Sequence, residues 1–92
     1  MEPASHFIDV EGLSTHYLEA GAGETLVLIH GGGSGADAYG NWKDCIGAYA
    51  RQFHVIAVDM IGFGKSAKPD PATYSYGQTN RNRHMIAFIE AI

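Results

Sequence analysis

A run of three glycines follows directly on an apolar segment at Thr25-Leu26-Val27-Leu28-Ile29-His30-Gly31-Gly32-Gly33-Ser34-Gly35-Ala36. Glycines placed this way let a backbone approach a ligand closely and aim N–H groups at one point, and such donors stabilise an oxyanion developing on an attacked carbonyl. The bland alternative is a flexible turn, but consecutive glycines after a buried strand are more than a turn requires. The same residues also satisfy a loose G-x-G-x-x-A pattern through Gly31, Gly33 and Ala36, with Asp59 ending the next apolar run as a dinucleotide fingerprint would have it. Against that reading, the next helical pattern begins near Asn41, so no helix N-terminus stands where a pyrophosphate would need one.

A second stretch, Asp59-Met60-Ile61-Gly62-Phe63-Gly64-Lys65-Ser66, also follows an apolar run. Gly64-Lys65-Ser66 suggests a phosphate-binding loop, but the pattern needs a glycine where Asp59 stands, and the reading fails. Asp59 itself fits either a general base or, more commonly for an acid at a strand end, a side-chain cap on the following turn. Ser5, Ser14, Ser34, Ser66 and Ser75 are the available serines. Ser34 imitates a nucleophile elbow within Gly32-Gly33-Ser34-Gly35-Ala36 but lies outside a sharp strand-to-helix turn. Cys45 falls on an apolar helical stripe, where a buried inert thiol is expected. His6, His16, His30, His54 and His84 show no metal-ligand spacing, so no metal and no cofactor is expected. His30 is expected to brace the glycine loop by hydrogen bonding. Asn41 reads as a helix N-cap, and it also follows the loop closely enough for its amide to face a substrate.

These residues need a sheet to hold them. Phe7–Val10 and Leu13–Glu19, separated by Glu11-Gly12, read as an antiparallel hairpin. Thr25–Ile29 and His54–Val58 are continuous apolar runs of the kind buried in parallel sheets. Between them Trp42, Cys45, Ile46, Tyr49 and Ala50 mark one stripe of a helix over about Asn41–Arg51. After a loop from Asp59 to about Gly77, Thr79 is expected to cap a second helix whose Met85, Ile86, Ile89 and Ile92 share a face. The expected class is α/β: a hairpin leading into a mostly parallel sheet with flanking helices, residues 1–92 forming one incomplete domain because the pattern stops within that helix.

Composition agrees with a folded domain. Hydrophobic residues make up 46% of the 92 and charged residues 17%, with ten acidic against six basic and a net charge of −4. The basic residues form no stripe, so nucleic-acid binding is unsupported. One cysteine excludes an intrachain disulfide. No run approaches a membrane span, and Met1–Ser5 lacks the features of a secretory signal, so a cytoplasmic location is expected.

Taken together, an apolar strand, His30-Gly31-Gly32-Gly33, an aromatic-bearing helix and Asp59–Ser66 resemble the first third of an α/β-hydrolase. More narrowly, His30–Ala36 followed by Asn41-Trp42 resembles the meta-cleavage product hydrolases of aromatic catabolism, which split a C–C bond in 2-hydroxy-6-oxo-hexa-2,4-dienoates, with the carbazole-pathway type nearest. The resemblance implies that Gly32 and Gly33 border the oxyanion, that Ser34 flanks the pocket and that Asn41 holds the carboxylate end of a small-molecule substrate. It also implies that the family's serine, aspartate and histidine lie beyond Ile92, leaving these residues catalytically inert by themselves, and it leaves a homodimer open. An esterase, epoxide hydrolase or dehalogenase stays within the same class; an NAD-binding oxidoreductase domain and a non-catalytic receptor are the readings from other classes.

Overall fold

Glu11 and Gly12 both adopt positive φ, 53° and 83°, the backbone that a two-residue hairpin of right-handed twist demands. The Asp9 carboxylate fastens the turn by accepting the Gly12 N–H at 2.8 Å. This hairpin opens the chain in a computed structural model that describes residues 3–92. It joins β1 (Ala4–Val10) to β2 (Leu13–Ala20), each slightly longer than the apolar alternation alone indicates. The remaining strands are β3 (Thr25–Ile29) and β4 (His54–Val58), with the bounds their apolar runs imply.

The strands form one mixed sheet in the order β1-β2-β4-β3. β1 and β2 pair antiparallel, β2 and β4 pair antiparallel, and β3 runs parallel to β4 with Val27 opposite Ile56. Alternation along β4 sends Val55 and Ala57 to one face and Ile56 and Val58 to the other, and all four are buried. On the first face Leu18, Leu28, Val55 and Ala57 pack with Ala38, Ile46 and Ala50. On the second, Val10, Ile56 and Val58 pack with Met85 and Phe88. Both faces are thus covered by helices, as a sheet with a parallel pair requires.

Between β3 and β4 the single helix expected over Asn41–Arg51 is replaced by two short ones, α1 (Ala38–Trp42) and α2 (Ile46–Tyr49). Asp37, not Asn41, is the N-cap, its carboxylate accepting the Gly40 N–H at 2.7 Å. The Asp59 carboxylate reaches across the fold to accept the Ala38 N–H at 2.7 Å, so the first turn is set three residues earlier than the apolar stripe suggests. Asn41 therefore lies inside α1, on its exposed side. Ile46 and Ala50 are buried as expected, whereas Tyr49 is exposed and Cys45 is half-buried at the start of α2.

The last helix, α3 (Gln78–Ala91), is capped by Gly77 without a side-chain bond, and Thr79 lies within its first turn. Its buried residues are His84, Met85 and Phe88, while Ile86, Ile89 and Ile92 are 59%, 47% and 42% exposed. Tyr17 on β2 sets this rotation by meeting the Phe88 ring edge-on at 5.5 Å. Met85 keeps its expected place in the core, and the three isoleucines do not join it.

Candidate functional site

The glycine loop leaves the C-terminal end of β3, and His30 anchors it. The His30 Nε2 accepts the Met60 N–H at 3.0 Å, and its Nδ1 lies 2.6 Å from the Gly31 carbonyl. A backbone N–H on Nε2 assigns the proton to Nδ1, so the ring is neutral and donates to Gly31. Phe63 meets the ring edge-on at 5.0 Å, tying the loop to the turn after β4. His30 is a brace, as the sequence implies.

Gly31, Gly32 and Gly33 are all exposed, and none has a positive φ. A Cβ built at Gly31 or Gly33 meets nothing within 4 Å, and one at Gly32 meets only Arg81 Nη2 at 3.7 Å. Neither backbone conformation nor crowding among the described residues therefore demands glycine here. The space over the loop would let a ligand come against the backbone. Ser34 is exposed beside the loop, and Asn41 stands on α1 with no hydrogen bond tying its amide to the loop. Gly32, Gly33 and Ser34 are thus contiguous and exposed, and Asn41 is exposed on the helix that follows.

Arg81, near the start of α3, is the cation that sequence patterning overlooked. Among the described residues its guanidinium takes part in no ion pair. It lines an open cavity of about 470 Å³ together with Gly62, Phe63, Lys68 and Tyr76. Helical position alone gave no signal for it, because 81 meets 32 only through the fold.

Behind the loop, Asp59 is a hub. It is 2% exposed. Its Oδ1 accepts the Ala38 N–H, and its Oδ2 accepts the Lys65 N–H at 3.0 Å and the His16 Nδ1–H at 2.7 Å. Burial opposes ionisation of this carboxyl, but the Ala38 and Lys65 amides and the His16 ring outweigh it and hold its pKa below the ordinary carboxylate value. Ser66 completes the turn, donating to the Asp59 carbonyl at 2.6 Å and accepting the His16 N–H at 2.8 Å. Of the two roles open to Asp59, these bonds fit the turn cap. They also extend to a residue that sequence patterning passed over, because the His16 Nε2 lies 2.5 Å from the Ser5 hydroxyl. Among the described residues, no group of three or more histidine, cysteine or acidic side chains is arranged to hold a metal ion. No helix among them is long and apolar enough to cross a membrane.

Residues 24–92 match the family model of the alpha/beta hydrolase fold. The chain belongs to that family. Over 86 residues it is 51% identical to 2-hydroxy-6-oxo-6-(2'-aminophenyl)hexa-2,4-dienoic acid hydrolase of Metapseudomonas resinovorans, covering 94% of this chain and 29% of that enzyme. A crystal structure of a serine hydrolase involved in carbazole degradation superposes with a TM-score of 0.92 at 49% identity, over 98% of this chain and 34% of the other. The meta-cleavage product hydrolase of Pseudomonas fluorescens IP01 gives a TM-score of 0.87 at 37% identity, over 94% of this chain and 31% of the other. The chain spans about a third of the length of these relatives.

Proposed function

We propose that residues 1–92 form the N-terminal portion of the core domain of a hydrolase that cleaves a C–C bond in a 2-hydroxy-6-oxo-hexa-2,4-dienoate, and that they supply its oxyanion loop. The observation that carries this reading is the open space over Gly31–Gly33, where among the described residues no neighbour crowds a side chain and no positive φ calls for glycine. The similarity to dienoate hydrolases supports the substrate class. In such an enzyme the dienol becomes a ketone, which gives an electron sink for the bond that breaks. A serine–histidine pair then promotes attack on the remaining carbonyl. N–H groups at Gly32 and Gly33 meet the oxygen that gains charge, Ser34 flanks the pocket, and Asn41 takes the carboxylate end of the substrate. The partner is a small molecule, and the reaction takes place in the cytoplasm.

Loss of one oxyanion donor costs roughly 100- to 1,000-fold in kcat. Among the described residues a Cβ at Gly32 meets only the flexible end of Arg81, at 3.7 Å, so a side chain there enters the ligand space without a clash against their backbone. In the hydrolase containing this chain, Gly32→Val keeps the backbone N–H but fills the space through which the substrate oxygen reaches it, and is expected to lower dienoate kcat toward the roughly 100-fold cost of losing one donor. Unaltered dienoate turnover removes the loop from the mechanism, and turnover of an epoxide or haloalkane in place of the dienoate overturns the substrate class.

A further inference from the structure

Ser5, Phe7, His16 and Leu18 point to the same face of the hairpin, because Ser5 pairs with Leu18 and Phe7 with His16 across the β1–β2 ladder. Ser5 is exposed on the edge strand, whereas His16 is 4% and Asp59 2% exposed. The Ser5 Oγ stands 2.5 Å from His16 Nε2, and His16 Nδ1 stands 2.7 Å from Asp59 Oδ2. The three groups thus form a line that runs from solvent to a buried carboxylate.

The link to Asp59 has a fixed direction. The carboxylate only accepts, so Nδ1 carries a proton, and in the neutral ring Nε2 is left with a lone pair aimed at the serine hydroxyl. The amides of Ala38 and Lys65 hold the carboxylate in place, and the Phe7 ring, 4.9 Å away, braces the imidazole. Nucleophile, base and orienting acid are recognised by this geometry and not by their order in the chain. Beside them lies a cavity of about 220 Å³ lined by Ser5, His16, Leu18, Tyr39 and Lys65. Asp37 borders it too, with its carboxylate turned to the Gly40 N–H. Beyond Ser5 and His16, Lys65 and Tyr39 are the lining residues whose side chains carry donors. No residue of the glycine loop takes part in this lining.

We infer that Ser5 is a second nucleophile, independent of the glycine loop, activated by His16 and Asp59 toward small activated acyl or phosphonyl electrophiles. With a fluorophosphonate, the Ser5 Oγ forms a bond to phosphorus while the P–F bond breaks and fluoride leaves with its electron pair. The serine proton passes to His16 Nε2, and the Asp59 carboxylate holds the resulting imidazolium through Nδ1–H.

The test is to treat the hydrolase containing this chain with an alkyl fluorophosphonate and read the adducts within residues 1–92 by peptide mapping. A single phosphonyl group on Ser5 is expected, with the exposed Ser14, Ser34 and Ser75 serving as internal controls. Ser5→Ala is expected to remove the adduct, and His16→Gln to slow its formation by about 100-fold, the usual scale of a general base. No adduct on Ser5 under conditions that fully label a serine hydrolase overturns the inference. So does an adduct spread evenly over Ser14, Ser34 and Ser75, or a folded His16→Gln chain that labels as fast as the parent. Should His16→Gln unfold, the distribution of label on the unmodified chain decides.

Discussion

The Asp59 carboxylate occupies the space where a Cβ on Gly64 would stand. Gly64 also has φ of +52°, so two independent constraints admit hydrogen alone at this position. Its neighbour Lys65 is thereby placed to donate its N–H to Asp59, and the turn after β4 closes beneath the glycine loop.

Gly64→Ala must therefore either strain the backbone or displace a buried, hydrogen-bonded carboxylate. Backbone strain and a loosened charge-assisted bond together cost about 2–4 kcal/mol. Urea unfolding is expected to show a midpoint lowered accordingly, with an unchanged slope. A midpoint equal to that of the parent chain would show that the turn does not depend on Asp59.

Acid should destabilise the fold in separable steps. His84, buried against β2 with its Nε2 3.1 Å from the Thr15 hydroxyl, has its pKa lowered by burial despite the opposing pull of Glu11. The unfolded chain therefore binds this proton more readily than the folded one. Its contribution is fully present above the ordinary histidine value of 6.5 and is lost as pH falls through the lower folded value. Asp59 and Glu19 are also depressed, from 3.8 and 4.5, so their contributions are present above those values and vanish further into acid. For Glu19 the His54 hydrogen bond leads the causes, and its exposure makes its share small. His84→Gln, which can still donate to Thr15, is expected to flatten the pH dependence of the urea midpoint just below pH 6.5 and to leave the more acidic fall intact. Retention of the full upper slope in that variant assigns it to another group.

The strands were legible because their signals are local. Thr25–Ile29 and His54–Val58 are continuous apolar runs, and Glu11-Gly12 supplies the turn chemistry of the hairpin. The glycine loop and its brace His30 were legible for the same reason. The start of α1 was not, because one of its caps, Asp59, lies 21 residues away, and the apolar stripe registers only the buried residues. Asp37, the other cap, was missed although an aspartate before a helix is a local cap signal. In α3, hydropathy ranks Ile86, Ile89 and Ile92 at least as high as Phe88, yet Phe88 is the one that meets Tyr17 on β2 and is fully buried. The Ser5–His16–Asp59 line joins residues 11 and 43 positions apart and exists only once β1, β2 and the end of β4 are side by side.

The rotation of α3 has its own consequence for stability. Phe88 is fully buried and Ile86 is 59% exposed, although both are large and apolar. Phe88→Ala removes a ring from the contact with Tyr17, Ile56 and Val58 and is expected to cost about 3–5 kcal/mol. Ile86→Ala is expected to stay within about 0.5 kcal/mol of the parent. Thermal unfolding of the two variants side by side checks the rotation; equal losses would place the helix face differently.

Arg81 provides the sharpest test of how the site recognises its substrate. Its Nη2 lies 3.7 Å from the Cβ position of Gly32, it borders the open cavity beside the loop, and among the described residues it has no acidic partner. A guanidinium so placed is the alternative to the Asn41 amide as holder of the substrate carboxylate, which it can bind through two parallel N–H bonds. A charge-assisted contact of this type contributes about 1.5–3 kcal/mol, a factor of roughly 10–100 in affinity. In the hydrolase containing this chain, Arg81→Met is expected to raise KM for a dienoate by that factor while kcat changes little. With the methyl ester of the same dienoate, which lacks the anionic end, the parent and the variant should show equal KM. A dienoate KM unaffected by Arg81→Met leaves the carboxylate to Asn41, and an equal effect on acid and ester identifies Arg81 as a packing residue of the cavity wall.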